Sequence, residues 1–166
     1  SVLAPEVTTA GGGIGCAGPN QLSLTGVTLL RNEAQWGGGM FIEECTLTAS
    51  DTSLRLNEGA VTGGGLLLYE ASASFQDSVF IQNTSELGSA GMVSAGAEDM
   101  QATLVLDNTV VEANEGAVGG AYLSYAKLEC HGSSETRSGF LGNASTGAFN
   151  AGAVFLAQGS ELVSQA

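Results

Sequence analysis

The sequence predicts an all-β protein, a right-handed parallel β-helix (a β-solenoid) of about five to six coils. Three observations favour this fold: a motif that recurs along the chain, apolar residues at fixed offsets from it, and short alternating segments rich in Thr, Val, Leu and Ser. A recurrence of this length is typical of solenoids. The 25 glycines among 166 residues argue against helices, because each glycine in a helix costs roughly 1 kcal/mol relative to alanine.

Each repeat contains an asparagine that is followed by a glycine cluster. Asparagine tolerates left-handed backbone angles, and its amide can hydrogen-bond to the same turn of the next coil. We therefore predict a structural turn ladder of five asparagines at intervals of 25, 26, 31 and 29 residues: Asn32, Asn57, Asn83, Asn114 and Asn143. The glycine clusters, which allow sharp bends between strands, end at Gly39, Gly65, Gly91, Gly120 and Gly152, with an earlier cluster at residues 11–13.

Apolar residues occupy two fixed positions in the repeat. The first position lies three residues before each asparagine: Leu29, Leu54, Phe80, Val111 and Phe140. The second directly follows each final glycine: Ile14, Met40, Leu66, Met92, Ala121 and Ala153. The linking segments alternate polar and apolar residues with period two, which predicts strands. Each repeat is expected to contain about three short strands and to stack on the next at about 4.8 Å.

The chain is predicted to be one domain over residues 1–166. Residues 1–10 are a lead-in, and coils are expected to open near residues 11, 37, 63, 88, 119 and 151. Polar insertions at residues 95–101 and 131–138 are expected to be loops on one face of the solenoid. Neither end resembles a capping helix, and an uncapped solenoid exposes strands and core. We therefore expect either a segment of a longer solenoid or ends that dock onto another protein.

Some of these motifs resemble a known family. Residues 80–83 (Phe-Ile-Gln-Asn) and 140–143 (Phe-Leu-Gly-Asn) match the Phe-x-x-Asn motif of the polymorphic outer membrane protein (Pmp) repeat. Residues 119–122 (Gly-Gly-Ala-Tyr) are similar to its Gly-Gly-Ala motif, whereas three other coils have Gly-Gly-Gly in its place. The resemblance implies a right-handed β-helix of the pectin-lyase-like type at a cell surface. It also implies an adhesive role without catalytic residues.

Composition excludes several classes of function. Four Lys or Arg residues face 17 Asp or Glu residues, and the net charge of −13 would repel nucleic acids and anionic membranes. No apolar run approaches the ~20 residues of a membrane span. The three cysteines fall at different places in their coils, so we expect free buried thiols rather than a disulfide or a metal site: Cys16, Cys45 and Cys130.

An apolar stripe is predicted on the outer surface. The runs after the glycine clusters are apolar on both faces, so the second residue of each run would point outward while its neighbours point inward. The stripe would contain Phe41, Leu67, Val93, Tyr122 and Val154 and extend over roughly 20 Å. A contiguous exposed apolar patch usually marks an interaction site. We predict that another protein or further coils bind here; the alternatives are a register shifted by one residue or a tail of the same chain over the stripe.

Catalytic and metal sites are not predicted. Polysaccharide lyases and hydrolases need clustered carboxylates with a basic residue beside them, and the chain has few basic residues. Glu33, Glu58 and Glu115 each follow a ladder asparagine and are expected to form a solvated acidic face rather than a calcium site. His131 is expected in a loop after a buried Cys130, since one such pair is a poor zinc site. The sequons at Asn83 and Asn143 are doubtful because both asparagines are assigned to the ladder.

The sequence thus predicts a non-enzymatic structural or interaction module, a β-helix that docks or adheres within a larger surface protein or assembly. We expect it to need no cofactor and to be extracellular or at the cell surface. The alternative is a carbohydrate-binding or carbohydrate-active β-helix. A groove with carboxylates and aromatic platforms would favour the alternative, whereas an apolar stripe without a groove would favour protein contact.

Overall fold

The chain is a parallel β-solenoid, as the repeat predicts. A computed structural model describes residues 10–86, 91–94, 102–132, 138–146 and 152–165, with residues 91–94 described by their backbone. The described residues contain no helix. Their strands are β1 (Ile14–Ala17), β2 (Gln21–Thr25), β3 (Thr28–Leu30), β4 (Glu33–Trp36), β5 (Met40–Glu43), β6 (Thr46–Ser50), β7 (Ser53–Arg55), β8 (Glu58–Thr62), β9 (Leu66–Tyr69), β10 (Ser72–Gln76), β11 (Val79–Ile81), β12 (Thr84–Ser85), β13 (Gly91–Ser94), β14 (Ala102–Asp107), β15 (Val110–Glu112), β16 (Glu115–Gly116), β17 (Ala121–Ser124), β18 (Ala126–His131), β19 (Gly139–Leu141), β20 (Ala144–Ser145), β21 (Val154–Leu156) and β22 (Glu161–Gln165).

Four parallel sheets run along the solenoid. Sheet I has the order β1-β5-β9-β13-β17-β21, and sheet II has the order β2-β6-β10-β14-β18-β22. Sheet III contains β3, β7, β11, β15 and β19, and sheet IV contains β4, β8, β12, β16 and β20. The prediction of about three strands per repeat is therefore wrong, since a full coil has four. The additional strand follows the ladder asparagine: β8, for example, pairs with β4 and β12 instead of forming a turn.

The core lies between the sheets and is filled by alternate residues of each strand. In β14 the buried residues are Ala102, Leu104 and Leu106, and the residues between them are partly exposed. The predicted apolar position before each asparagine lies in sheet III, where Leu54 and Phe80 are buried in adjacent strands. Phe80 packs edge-to-face on Phe75 with ring centroids 4.9 Å apart. Burial of each such side chain stabilises the fold by about 1.5–3 kcal/mol.

The five asparagines form a continuous hydrogen-bonded ladder at the turn between sheets III and IV. The side-chain Oδ1 of each member after Asn32 accepts bonds of 2.9–3.0 Å from the main-chain N and the Nδ2 of the preceding member. Each Nδ2 after the first also donates to a sheet III carbonyl of the preceding coil, as from Asn83 to Leu54 at 3.0 Å. Asn57, Asn83 and Asn114 are fully buried, so the ladder satisfies amides that would otherwise be costly to bury.

The asparagine was predicted to adopt the left-handed backbone conformation of this turn. The structure instead places that conformation at the residue before the asparagine. Positive φ angles of 52–58° occur at Arg31, Leu56, Gln82, Ala113 and Gly142. This residue makes the bend, and the asparagine that follows directs its amide into the interior. For Leu56, the left-handed conformation costs roughly 1–2 kcal/mol relative to the right-handed one, and the ladder bonds offset that cost.

A second buried ladder, of hydroxyl groups, lies at the turn between sheets II and III. The main-chain N of Thr52 donates to Ser78 Oγ (3.1 Å), that of Ser78 to Thr109 Oγ1 (3.3 Å), and that of Thr109 to Ser138 Oγ (3.0 Å). The first three hydroxyls also donate to the carbonyl two residues earlier, as from Ser78 to Gln76 at 2.8 Å. This ladder was not predicted from the sequence. Its signal was a Thr or Ser five residues before each of four ladder asparagines.

The expectation of three free thiols is wrong, because Cys16 and Cys45 form a disulfide with Cα atoms 6.3 Å apart. Cys16 lies in β1 and pairs in register with Ile42 of β5. Cys45 is three residues further on, so the two cysteines do fall at different places in their coils. The chain turns after β5, where Glu44 has a φ of 54°, and this bend brings Cys45 back towards β1. Cys130 is free and buried.

Candidate interaction surface

The outward position of sheet I is apolar in five successive coils. The register aligns Phe41 of β5, Leu67 of β9, Met92 of β13, Tyr122 of β17 and Phe155 of β21. We call these five residues the outer row. Their strand neighbours on either side, such as Met40 and Ile42 beside Phe41, are fully buried in the core, so the outer row lies on the opposite face of the sheet.

Two members of the predicted stripe were assigned to the wrong row. Val93 aligns with Leu68 and Leu123, and Val154 aligns with Ala121, so both occupy inward rows. The prediction assumed that every apolar run starts directly after a final glycine. In β13, however, Gly91 itself takes the position of Leu66. In the last coil, the carbonyl of Ala153 is the one that approaches Gly120, so Ala153 stands where earlier coils have a glycine.

Members of the outer row differ in exposure. Phe41, Tyr122 and Phe155 are partly exposed, whereas Leu67, between Phe41 and Met92 in the row, is only 3% exposed. The rings of Tyr122 and Phe155 stack with centroids 5.6 Å apart and an interplanar angle of 8°. Their flat faces are therefore directed along the solenoid axis at each other. The faces that these two rings turn towards each other are therefore covered.

Three carboxylates border the outer row, and we call them the acidic corner: Glu43, Glu44 and Glu70. Glu43 is two residues beyond Phe41 in β5 and pairs in register with Tyr69 of β9. Glu44 and Glu70 follow these strands at the turn towards sheet II, with φ angles of 54° and 49°. The charge of Glu70, together with partial burial, a hydrogen bond to Glu70 and the charges of Glu43 and Glu44, raises the pKa of Tyr69. The corner thus has a negative potential.

On the other sheets, the outward rows are polar or have charged residues between the apolar ones. In sheet III, one outward row contains Leu30, Arg55, Ile81, Glu112 and Leu141. Leu30 and Leu141 are 49% and 55% exposed, but charged residues separate them. In sheet II, the outward residues of the first three coils are polar, such as Thr48 and Ser74. Among the described strands, only sheet I has a large apolar residue at the outward register position in five successive coils.

A shallow groove of about 340 Å³ runs along sheet IV. The described residues that line it include Glu58, Glu86, Glu115, Thr84 and Ser85, without an aromatic or basic side chain. Glu33 and Glu58 are register neighbours, but Thr84 separates Glu58 from Glu115. Among the described residues, no three His, Cys, Asp or Glu side chains are placed to hold a metal ion. The groove therefore offers carboxylates without the aromatic platforms or basic groups of a sugar site.

His131 is the last residue of β18 and not a loop residue, which corrects the prediction. It alternates with Cys130, so the imidazole faces outward while the thiol faces the core. On the outward side, Glu129 forms an ion pair with Lys127 (2.9 Å), and its other carboxylate oxygen lies 3.3 Å from His131 Nε2. The hydrogen bond to Lys127, ahead of other contributions, lowers the pKa of Glu129, and the same bond raises the pKa of Lys127. Cys130 and His131 do not converge on a shared site.

The core is exposed at the last described coil. Leu156 lies in the inward row of Leu123, and Leu162 in the inward row of Leu128. Leu123 and Leu128 are fully buried, whereas Leu156 and Leu162 are 45% and 44% exposed. These two leucines would be covered by a further parallel coil stacked on β21 and β22.

Several sequence predictions fall outside the described residues. They include the lead-in over residues 1–9, the insertion at residues 95–101 and most of the insertion at residues 131–138. The described part of the chain contains no helix with the length and hydropathy of a membrane span. No protein-family model, curated protein or solved structure matches the chain significantly.

Proposed function

We propose that this β-solenoid is a non-enzymatic docking module, and that another protein binds to the outer row of sheet I. On the Pmp-like motifs, we propose further that the solenoid is right-handed, of the pectin-lyase-like type, and part of an adhesive or structural assembly at a cell surface. The observation that carries the proposal is the continuity of the outer row across five coils. At about 4.8 Å per coil, it extends for roughly 20 Å.

The burial pattern supports a protein partner. Outward positions of a solenoid need no large apolar residue for folding, because the core is filled by the inward rows. Phe41, Tyr122 and Phe155 nevertheless stand at such positions and are partly exposed. Aromatic residues are enriched at the centres of protein interfaces. An extended apolar row of this length suits a strand or a helix of another protein.

The aromatic geometry disfavours the carbohydrate alternative. Sugar-binding aromatic residues present a flat ring face, whereas one face of Tyr122 and one face of Phe155 lie against each other. The groove of sheet IV has carboxylates, but its described lining has no ring on which a sugar could stack. Protein contact is therefore the function that this geometry supports best.

The Cys16–Cys45 disulfide supports an extracellular location. Disulfides form and persist in oxidising compartments and are rare in the cytosol of most cells. This disulfide joins the coil of β1 to the coil of β5, so it would secure a coil at one end of the described solenoid. The exposed Leu156 and Leu162 at the other end support a second mode of association, in which further coils of the same protein stack on β21 and β22.

The proposal can be tested with immobilised protein and matched variants. Extracts would be passed over the wild type, a Phe41→Ser/Tyr122→Ser variant and a Thr48→Ala/Ser72→Ala control, whose changed residues are exposed on sheet II. Circular dichroism and thermal unfolding would verify that all three are folded. We expect a protein that the wild type and the control retain and the outer-row variant loses. Identical retention by all three, or specific retention of glycans on an array, would contradict the proposal.

A further inference from the structure

We propose that the docking partner presents basic as well as apolar side chains, so that the outer row and the acidic corner bind one cationic amphipathic protein segment. This inference rests on the proposed function and names the chemistry of the partner. The row would supply the apolar contact, and the corner would select for positive charge. The three carboxylates lie beside the row, and no described cation compensates their charge.

The acidic corner is placed to act together with the outer row. Residues two apart in a strand are on the same face and about 6.6 Å apart, so Glu43 is on the outward side beside Phe41. Tyr69 has the same relation to Leu67 in the next strand. Glu44 and Glu70 extend the negative charge across two adjacent coils at the turn. A partner segment that contacts the partly exposed Phe41 would pass these carboxylates.

The charge of the corner is uncompensated within the described residues. The ion pairs of this part of the chain all involve Glu129, which is in sheet II. Arg31 and Arg55 lie at the turn between sheets III and IV, whereas the acidic corner lies at the turn between sheets I and II. Arg55 Nε donates to Ser53 Oγ at 2.7 Å. The raised pKa of Tyr69 reflects the same negative potential. An incoming Lys or Arg would therefore find carboxylates that no described cation already neutralises.

The negative net charge of the protein also argues against a second copy of this chain as the partner. The protein has a net charge of −13, and a symmetric contact through sheet I would bring two acidic corners near each other. Like charges placed together across an interface cost free energy and suppress association. A basic partner would instead be steered towards the corner, and its association rate would fall as salt is added.

The experiment measures binding of a labelled peptide with alternating Lys and Leu residues by fluorescence anisotropy. Control peptides replace Lys by Glu or Leu by Ser. The protein variants are Glu43→Gln/Glu44→Gln/Glu70→Gln at the corner and Glu58→Gln/Glu112→Gln/Glu115→Gln on sheets III and IV, which change the net charge equally. We expect the corner variant to weaken binding about tenfold and to flatten its salt dependence, whereas the control variant changes the affinity less than about twofold.

Several results would overturn the inference. The first is failure of the Lys–Leu peptide to bind, and the second is equally strong binding of the Glu–Leu or the Lys–Ser peptide. The third is an equal loss of affinity in the two triple variants, which would show only a general attraction of the peptide to an acidic protein. The Phe41→Ser/Tyr122→Ser variant separates this inference from the proposed function. If that variant fails to retain the protein captured by the wild type while the corner variant retains it, the docking surface stands and the basic partner is wrong. If the Phe41→Ser/Tyr122→Ser variant binds both the peptide and the captured protein as the wild type does, both proposals fail.

Discussion

The Oδ1 atom of Asn83 accepts two hydrogen bonds of 3.0 Å from Asn57, one from the main-chain N and one from Nδ2. Both asparagines are fully buried. The same pair of bonds recurs between each ladder asparagine and the next, so one side chain per coil fixes the relative position of two coils. The ladder therefore connects successive coils through buried side chains, in addition to the main-chain bonds of the four sheets.

Replacement of Asn83 by alanine should destabilise the protein strongly. The substitution removes the acceptor of the main-chain N and Nδ2 of Asn57 and the donor to the carbonyl of Leu54. Asn114 Oδ1 loses the bond from Nδ2 but keeps the one from the main-chain N of residue 83. Each unsatisfied buried group costs about 1–3 kcal/mol, so we expect a loss of about 3 kcal/mol or more in the free energy of unfolding. Urea denaturation would measure it.

The control for this prediction is Asn20→Ala. Asn20 is exposed and its Nδ2 donates to the carbonyl of Ala17 at 2.8 Å, so the expected loss is below about 1 kcal/mol. Equal losses for Asn83→Ala and Asn20→Ala would show that the ladder does not stabilise the solenoid.

Gly39→Ala should also destabilise the protein, because the coils approach closely at this glycine. An added Cβ would lie 2.5 Å from the carbonyl oxygen of Gly65 and 3.2 Å from Leu54 Cδ2. Overpacking of this kind costs about 1–3 kcal/mol. At Gly139 an added Cβ would meet nothing within 4 Å, so Gly139→Ala is the matched control and should be neutral or slightly stabilising. Thermal unfolding would give the unfolding temperature of each variant, and that of Gly39→Ala should be the lower one. An unfolding temperature for Gly39→Ala at or above that of Gly139→Ala would contradict the close approach of the two coils at Gly39.

Reduction of the disulfide should lower stability. Cys16 and Cys45 are 29 residues apart, and a cross-link over a loop of this length stabilises a protein by about 3.5 kcal/mol in the chain-entropy description. We expect this loss when denaturation is measured with a reductant, and the same sensitivity in Cys130→Ala. Peptide mapping without reduction should find Cys16 joined to Cys45. A disulfide that involves Cys130 instead would show that this pairing is wrong.

The free thiol of Cys130 should make stability fall at alkaline pH. Burial raises the pKa of the Cys130 thiol above its ordinary value of 9.0, so the folded state favours the neutral form. The stabilisation is complete below the pKa of the unfolded chain and is lost as the pH rises from about 9 towards the folded pKa. Between pH 8 and pH 10, the wild type should therefore lose more stability than Cys130→Ala, in which other titrating groups are unchanged. Parallel pH profiles would show that burial of this thiol has no effect.

Neither sequon should carry a glycan in the folded protein. The Nδ2 atom to which a glycan would be attached donates to Leu54 in the case of Asn83 (3.0 Å) and to Val111 in the case of Asn143 (2.9 Å). After secretion from eukaryotic cells, the folded protein should have its unmodified mass. Thr46→Asn, which creates an exposed sequon with Thr48 on sheet II, is the positive control. A glycan on Asn83 in folded protein would contradict the ladder.

The parallel solenoid and its ladder were predictable because they depend on spacing alone. Asparagines at regular intervals, each with an apolar residue three positions earlier, define a column whatever residues fill the turns. Leu54 and Phe80 are buried neighbours in sheet III for this reason. The hydroxyl ladder carried the same kind of signal, a fixed five-residue offset from the asparagines, and could have been found.

Other features depend on geometry that the sequence does not carry. The register of Val93 and Val154 was missed because Gly91 acts as a strand residue and Ala153 occupies a glycine position. The disulfide depends on the bend after β5, which brings together cysteines from different register positions. Left-handed angles at Leu56 and Gln82 contradict the intrinsic preference of both residues, since the tertiary structure imposes them.

The most direct test of the central claim, that the outer row of sheet I is the docking surface, is hydroxyl-radical footprinting with and without the captured partner. Oxidation of Phe41, Tyr122 and Phe155 should be slower in the complex than in the free protein. Leu30 and Leu141, which are exposed on sheet III, should be oxidised at unchanged rates. Protection of Leu30 and Leu141 with unchanged oxidation of Phe41, Tyr122 and Phe155 would place the interface on another face and contradict the account.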